Sequence, residues 1–125
     1  MLNYDTVNEC LMMRFPELTI LFEEQISLWG EDNLLPHCFY AYTLNKYVTE
    51  LLRENSDSQQ IKKIFQFYEE MASSEDVEVR NLLQVTLLEY LWDEEIVFRN
   101  ALQHMQPKTR IINSDIGAYL KIPVE

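Results

Sequence analysis

Glycine is almost missing from this chain: there are two, Gly30 and Gly117, beside four prolines. A sheet of many strands needs tight turns, and tight turns draw on Gly, Asn and Asp at positive φ. Two glycines also leave no material for a Gly-rich phosphate loop. Cysteine is equally scarce. Cys10 and Cys38 are too few for a disulfide framework; each sits in a helical pattern and is expected to be a small buried hydrophobe, in a reducing, cytoplasmic setting. No apolar run approaches the length of a membrane span, and no basic segment followed by an apolar stretch marks a secretory signal. Positive charge is the last shortage. Ten Lys and Arg stand against 21 Asp and Glu, a net charge of −11. Nucleic acid and anionic membrane surfaces both require a basic footprint, so neither is expected as a partner.

What is present reads as helix. The 125 residues are the size of one domain, and 47% are hydrophobic, enough for one core across residues 1–125. Thr6 and Glu9 have capping-box spacing at the start of a first helix running to Arg14. Phe15-Pro16 ends it and opens a second, striped by Leu18, Leu21, Phe22, Ile26 and Trp29, with Gly30 as a left-handed cap. Pro36 opens a longer third helix carrying Phe39, Tyr40, Leu44, Tyr47, Val48, Leu51 and Leu52. Residues 55–58 form a loop that caps the fourth, striped by Ile61, Ile64, Phe65, Tyr68 and Met71. The fifth spans about 77–91, with Leu82, Leu83, Leu87, Leu88 and Leu91 as its seam. The sixth begins near Asp93, takes Ile96, Val97, Ala101, Leu102 and Met105 inward, and ends at Pro107. A short last helix is expected from Ser114 to Leu120, then an extended Ile122-Pro123-Val124. The fold class is all-α: a single-domain bundle of six or seven helices in antiparallel pairs.

The charge is concentrated. Between Phe67 and Glu95 lie nine carboxylates (Glu69, Glu70, Glu75, Asp76, Glu78, Glu89, Asp93, Glu94, Glu95) and one arginine, Arg80. They are threaded among core leucines, so they belong to a folded surface. Such a surface repels itself and attracts a basic partner from a distance; acidity that serves only solubility is the plain alternative. Glu78, Glu89, Trp92, Asp93, Glu94 and Glu95 are the candidate partner-binding residues, with Trp92 as an anchor inside an acidic rim. Phe67, Trp92 and Tyr42 are offset from their helices' stripes and are expected at the surface. A second acidic face, around Glu23, Glu24, Glu31 and Asp32, is the competing location.

Catalytic patterns do not emerge. His37, Cys38, Cys10 and His104 lack the close pairing of structural zinc ligands, so no metal is expected. Adjacent carboxylates such as Glu69-Glu70 diverge on a helix and suit a solvated face better than acid–base work. No G-x-S-x-G or H-E-x-x-H occurs. Neither an enzyme nor a cofactor is expected.

The segment from Glu75 to Leu91, with an acidic residue, then Val-x-Val-Arg, then a Leu-x-x-Leu pattern, resembles the second helix of a HEAT-type repeat. There Asp76 caps the helix, the valines seat its start, Arg80 reaches a neighbouring carboxylate or carbonyl, and the leucines fill the seam. More widely, Phe-Pro-Glu-Leu at 15–18, Leu-Leu-Pro-His at 34–37, the aromatic helix that follows, and residues 78–89 resemble small all-helical bacterial immunity proteins of polymorphic toxin and contact-dependent inhibition systems. The likeness runs over residues 15–106. It implies a HEAT-like helical fold and a protein that binds and neutralises a cognate basic toxin domain, many of which are nucleases. It transfers no site residues. A helical adaptor or subunit that holds a partner protein or peptide, with no toxin, is the alternative.

Overall fold

A computed structural model describes residues 2–55 and 58–120, and among them every regular element is helical. Seven helices follow in order: α1 Val7–Arg14, α2 Thr19–Trp29, α3 residues 36–54, α4 Ser58–Ala72, α5 residues 77–91, α6 Glu95–Leu102 and α7 Pro107–Leu120. Short 3-10 turns at Tyr4–Thr6, Pro16–Leu18 and Glu31–Asn33 precede α1, α2 and α3. The bundle closes on one apolar core.

The third helix is bent. Its halves, Pro36–Tyr42 and Leu44–Glu54, meet at Thr43, whose hydroxyl donates to the Phe39 carbonyl at 2.7 Å. A threonine that bonds back to the carbonyl four residues earlier bends a helix in this way. The first half packs on α1, α2 and α5, and the second half packs on α6. The fourth helix packs on α7. Tyr40 ties α3 to α1 by donating to the Val7 carbonyl at 2.7 Å.

The fifth helix departs from α geometry over Leu82–Leu88, where it widens into π turns; the Glu89 N–H donates to the Gln84 carbonyl five residues back. The leucines give the reason. Leu82 with Leu87, and Leu83 with Leu88, are five apart and all fully buried. Five residues of α-helix turn the chain about 500°, leaving such a pair about 140° apart. An i→i+5 turn keeps both members on the core side.

Several expectations are corrected. Thr6 forms no capping box; Asn3 Oδ1 accepts its N–H and hydroxyl instead, both at 3.2 Å. Gly30 has φ +83° but an extended ψ of 150°, and the left-handed cap lies at Asn55, φ 50° and ψ 39°, closing α3. The second helix buries Phe22 and Gln25, with Leu18 in the turn before it, while leaving Trp29 56% exposed. Val77 and Ile96, each the first or second residue of its helix, are exposed as well. Phe67 is fully buried: its ring meets Phe15 edge-on at 5.5 Å and stacks on Tyr40 at 6.5 Å. The fourth helix is covered by α3, α5 and α7 together, so its buried face is wider than one stripe. Cys38 is exposed and Cys10 half-buried.

The last helix is twice the expected length. It starts at Pro107 because Glu69, on α4, caps it from outside. The Lys108 N–H donates to Glu69 Oε2 at 3.0 Å, and the Thr109 N–H and hydroxyl donate to Oε1 at 3.0 and 2.9 Å. It packs through Thr109, Asn113 and Ile116, while Ile111 faces solvent. The loop residues Ser56 and Asp57 and the expected extended end Ile122-Pro123-Val124 lie outside the described residues.

An acidic, aromatic groove between α3 and α5

The nine carboxylates of the acidic run divide into two sets. Four hold the fold together. Glu69 caps α7 as above. Glu70 takes a two-pronged pair from Arg14, at 2.9 and 2.7 Å, and that hydrogen bond holds its carboxyl below the usual range. Asp76 accepts the Tyr4 N–H at 2.8 Å and the Glu78 N–H at 3.0 Å, and these two bonds hold its carboxyl down too. Glu94 receives Arg53 through Nε and Nη2 at 2.8 and 2.9 Å, which lowers its carboxyl in turn. The cap by Asp76 and the reach of Arg80 to the Ser74 carbonyl are the two local features that the Val-x-Val-Arg pattern predicts.

The remaining acids face water. Glu95 makes an exposed i,i+4 pair with Arg99 at 2.9 Å, a contact worth a few tenths of a kcal/mol. Glu75, Glu78, Glu89 and Asp93 have no cationic partner among the described residues. Glu89 and Asp93 stand on one wall of a groove of about 560 Å³ between the first half of α3 and the π segment of α5.

Both backbone irregularities border the groove: Tyr42 and Asn45 flank the bend in α3, and Val85 and Thr86 lie in the π turns of α5. Asn45, just past the bend and fully buried, donates from Nδ2 to the Thr86 carbonyl at 2.9 Å. Thr86 lies inside the π segment. Its hydroxyl is in hydrogen-bond contact with His37 Nδ1. Burial pushes the His37 imidazole below its ordinary pKa, with the charge of Glu78 working weakly the other way. These contacts brace the floor. Tyr42 and Tyr90, each about half exposed, come from opposite walls, and Val85 lines the α5 wall. Lys46 is the cation at the rim. Asn45 Oδ1 lies at the floor with no hydrogen-bond partner.

The six candidate residues therefore separate. Glu89 and Asp93 meet at the groove, and Glu78 is exposed beyond its His37 end, close enough to act on that imidazole. Glu94 and Glu95 are engaged with Arg53 and Arg99. Trp92 is less exposed than its offset from the stripe predicts. It is half-buried, donates Nε1–H to Asn113 Oδ1 at 3.0 Å on α7, and lies against Phe98 at 4.3 Å. It closes the core between α5, α6 and α7. The α3 wall, with His37, Cys38, Tyr42 and Asn45, was not among the candidates. Tyr42, offset from its stripe, was its one visible sign, because the bend at Thr43 aims this wall.

The described residues contain no cluster of three or more His, Cys, Asp or Glu placed to hold a metal ion. His104 packs against Phe65 at 5.8 Å, on a different helix pair from His37. Among the described residues no helix is long and apolar enough to cross a membrane. No curated protein and no solved structure matches the chain. Residues 8–120 match the family described as Domain of unknown function (DUF7674), and the chain belongs to that family.

Proposed function

We propose that this protein is a binding module of the immunity type, which takes a basic partner domain, in the first place a nuclease toxin, and neutralises it without chemistry of its own. The observation that carries the reading is the groove between α3 and α5. Half-exposed tyrosines and unpaired carboxylates share it, and the helix forming one wall is held open in π geometry. Such π bulges occur often at functional sites. Exposed carboxylates facing Lys and Arg speed the encounter, and aromatic rings that lose water on contact slow dissociation. A net charge of −11 extends the attraction beyond the contact itself.

Blocking follows in one of two ways. The acidic surface occupies the partner's phosphate-binding groove as a mimic of its substrate, or it clamps a neighbouring face and stops a needed motion. The second reading, a helical adaptor, uses the same groove for an extended or helical peptide. Co-expression with the product of the gene directly upstream of this chain's own separates them, if that product ends in a basic domain. Immunity predicts a co-purifying complex and rescue of growth when that domain is toxic. An adaptor leaves the toxicity unchanged.

A further inference from the structure

We propose that the α3–α5 groove is a receptor for an arginine side chain of the partner. This rests on the reading of the chain as a binder of a basic protein, and it names the group that the groove accepts. Three features converge. Glu89 and Asp93 set two carboxylates on one wall without an ion-pair partner among the described residues. Tyr42 and Tyr90 offer ring surface from both walls, 49% and 48% exposed. Asn45, 1% exposed, lies at the floor with its amide fixed by the Thr86 carbonyl and its Oδ1 without a partner. A buried acceptor left unsatisfied is costly. Asn45 lines the groove while its Oδ1 is closed to solvent, so a small shift of the side chain would let a ligand's donor reach it.

The chemistry favours guanidinium over ammonium. A guanidinium is planar and weakly hydrated, so it can lie between tyrosine rings at small desolvation cost. Its five donors, arranged in a fork, suit carboxylates at the rim and an amide oxygen below. A lysine ammonium is a compact, strongly hydrated charge that gains less from the rings. The local sum also favours a cation. Two carboxylates and the Lys46 ammonium leave one net negative charge, and Arg53 nearby is already neutralised by Glu94. His37 is held toward its neutral form by burial and adds little opposing charge near neutral pH.

The test is an NMR titration of the full chain with two capped peptides of equal charge, tetra-arginine and tetra-lysine. The proposal expects saturable shifts at Tyr42, Asn45 and Tyr90, with the Asn45 side-chain amide among them. Tetra-arginine should bind several-fold more tightly than tetra-lysine. Tyr90→Ala and Glu89→Gln should each weaken tetra-arginine several-fold while leaving the fold intact, since both side chains lie at the surface of the groove. Equal affinity for the two peptides, or shifts spread over the Glu23–Glu24 face as well, would overturn it and reduce the effect to diffuse charge attraction. A basic domain that binds the wild type and Tyr90→Ala equally well also overturns the arginine receptor, yet leaves the binding function standing. Groove binding by tetra-arginine, with no binding of the upstream gene's product and no rescue from it, supports the receptor and removes the immunity reading.

Discussion

Replacing Glu69 by alanine removes the cap of a helix forty residues away in sequence. The carboxylate accepts the N–H groups of Lys108 and Thr109 and the hydroxyl of Thr109. Losing an N-terminal cap costs about 1 kcal/mol. Thr109 is fully buried, and a buried hydroxyl left without its partner costs about 1 to 3 kcal/mol more. Removing one negative charge from a chain at −11 relieves some self-repulsion and returns a few tenths of a kcal/mol. The net expectation is a loss of about 2 kcal/mol, which for a domain of this size lowers the melting temperature by roughly 6 to 12 °C. Urea unfolding of Glu69→Ala measures it, with Glu89→Ala and Asp93→Ala as controls. The controls lose no partner and should stay within about 0.5 kcal/mol of the wild type. If Glu69→Ala were as stable as the wild type while Glu89→Ala cost more than about 1 kcal/mol, the division into structural and free carboxylates would be wrong.

Trp92→Ala should destabilise by about 2 kcal/mol, less than for a fully buried tryptophan, because it loses the Asn113 bond and the Phe98 contact; partner affinity measured well below the melting temperature should be unchanged. Asp76 has a depressed pKa in the folded chain, so its contribution is present above the unfolded value near 3.8 and is lost as pH falls through the folded one. Asp76→Ala should therefore be less stable than the wild type at neutral pH, and the gap should narrow in urea titrations at strongly acidic pH. Cys38 is exposed and Cys10 half-buried, so a thiol reagent should modify one thiol per native chain quickly, and Cys38→Ser should abolish that fast phase.

Legibility in the sequence followed the strength of local periodicity. The stripes of α3 and α4, and the seam of α5, are apolar at helical spacing and land in the core. The second helix buries the polar Gln25 and leaves the apolar Ile20, Leu28 and Trp29 exposed, so its apolar pattern alone does not mark its buried face. The last helix buries Thr109 and Asn113 beside Ile116, a half-polar face with a weak hydrophobic signal, and its cap comes from Glu69 in another helix. No local reading reaches that far. The acidic run was visible as a composition, yet composition could not tell Glu70, locked to Arg14, from Glu89, open to the groove. The groove needs two backbone irregularities, the bend at Thr43 and the π turns at Leu82–Leu88. The paired leucines at five-residue spacing were the one trace of the second.

The most direct test of the account is the association rate between this protein and the basic toxin domain proposed as its partner, followed from about 0.01 M to about 0.15 M salt, over which the screening length falls from about 30 to about 8 Å. The wild type should slow steeply with salt. A folded Glu89→Lys, Asp93→Lys variant should associate about tenfold or more slowly at low salt and converge toward the wild type at high salt. A rate that is flat with salt and equal in the two proteins would contradict the claim that the open carboxylates of the α3–α5 groove receive the partner.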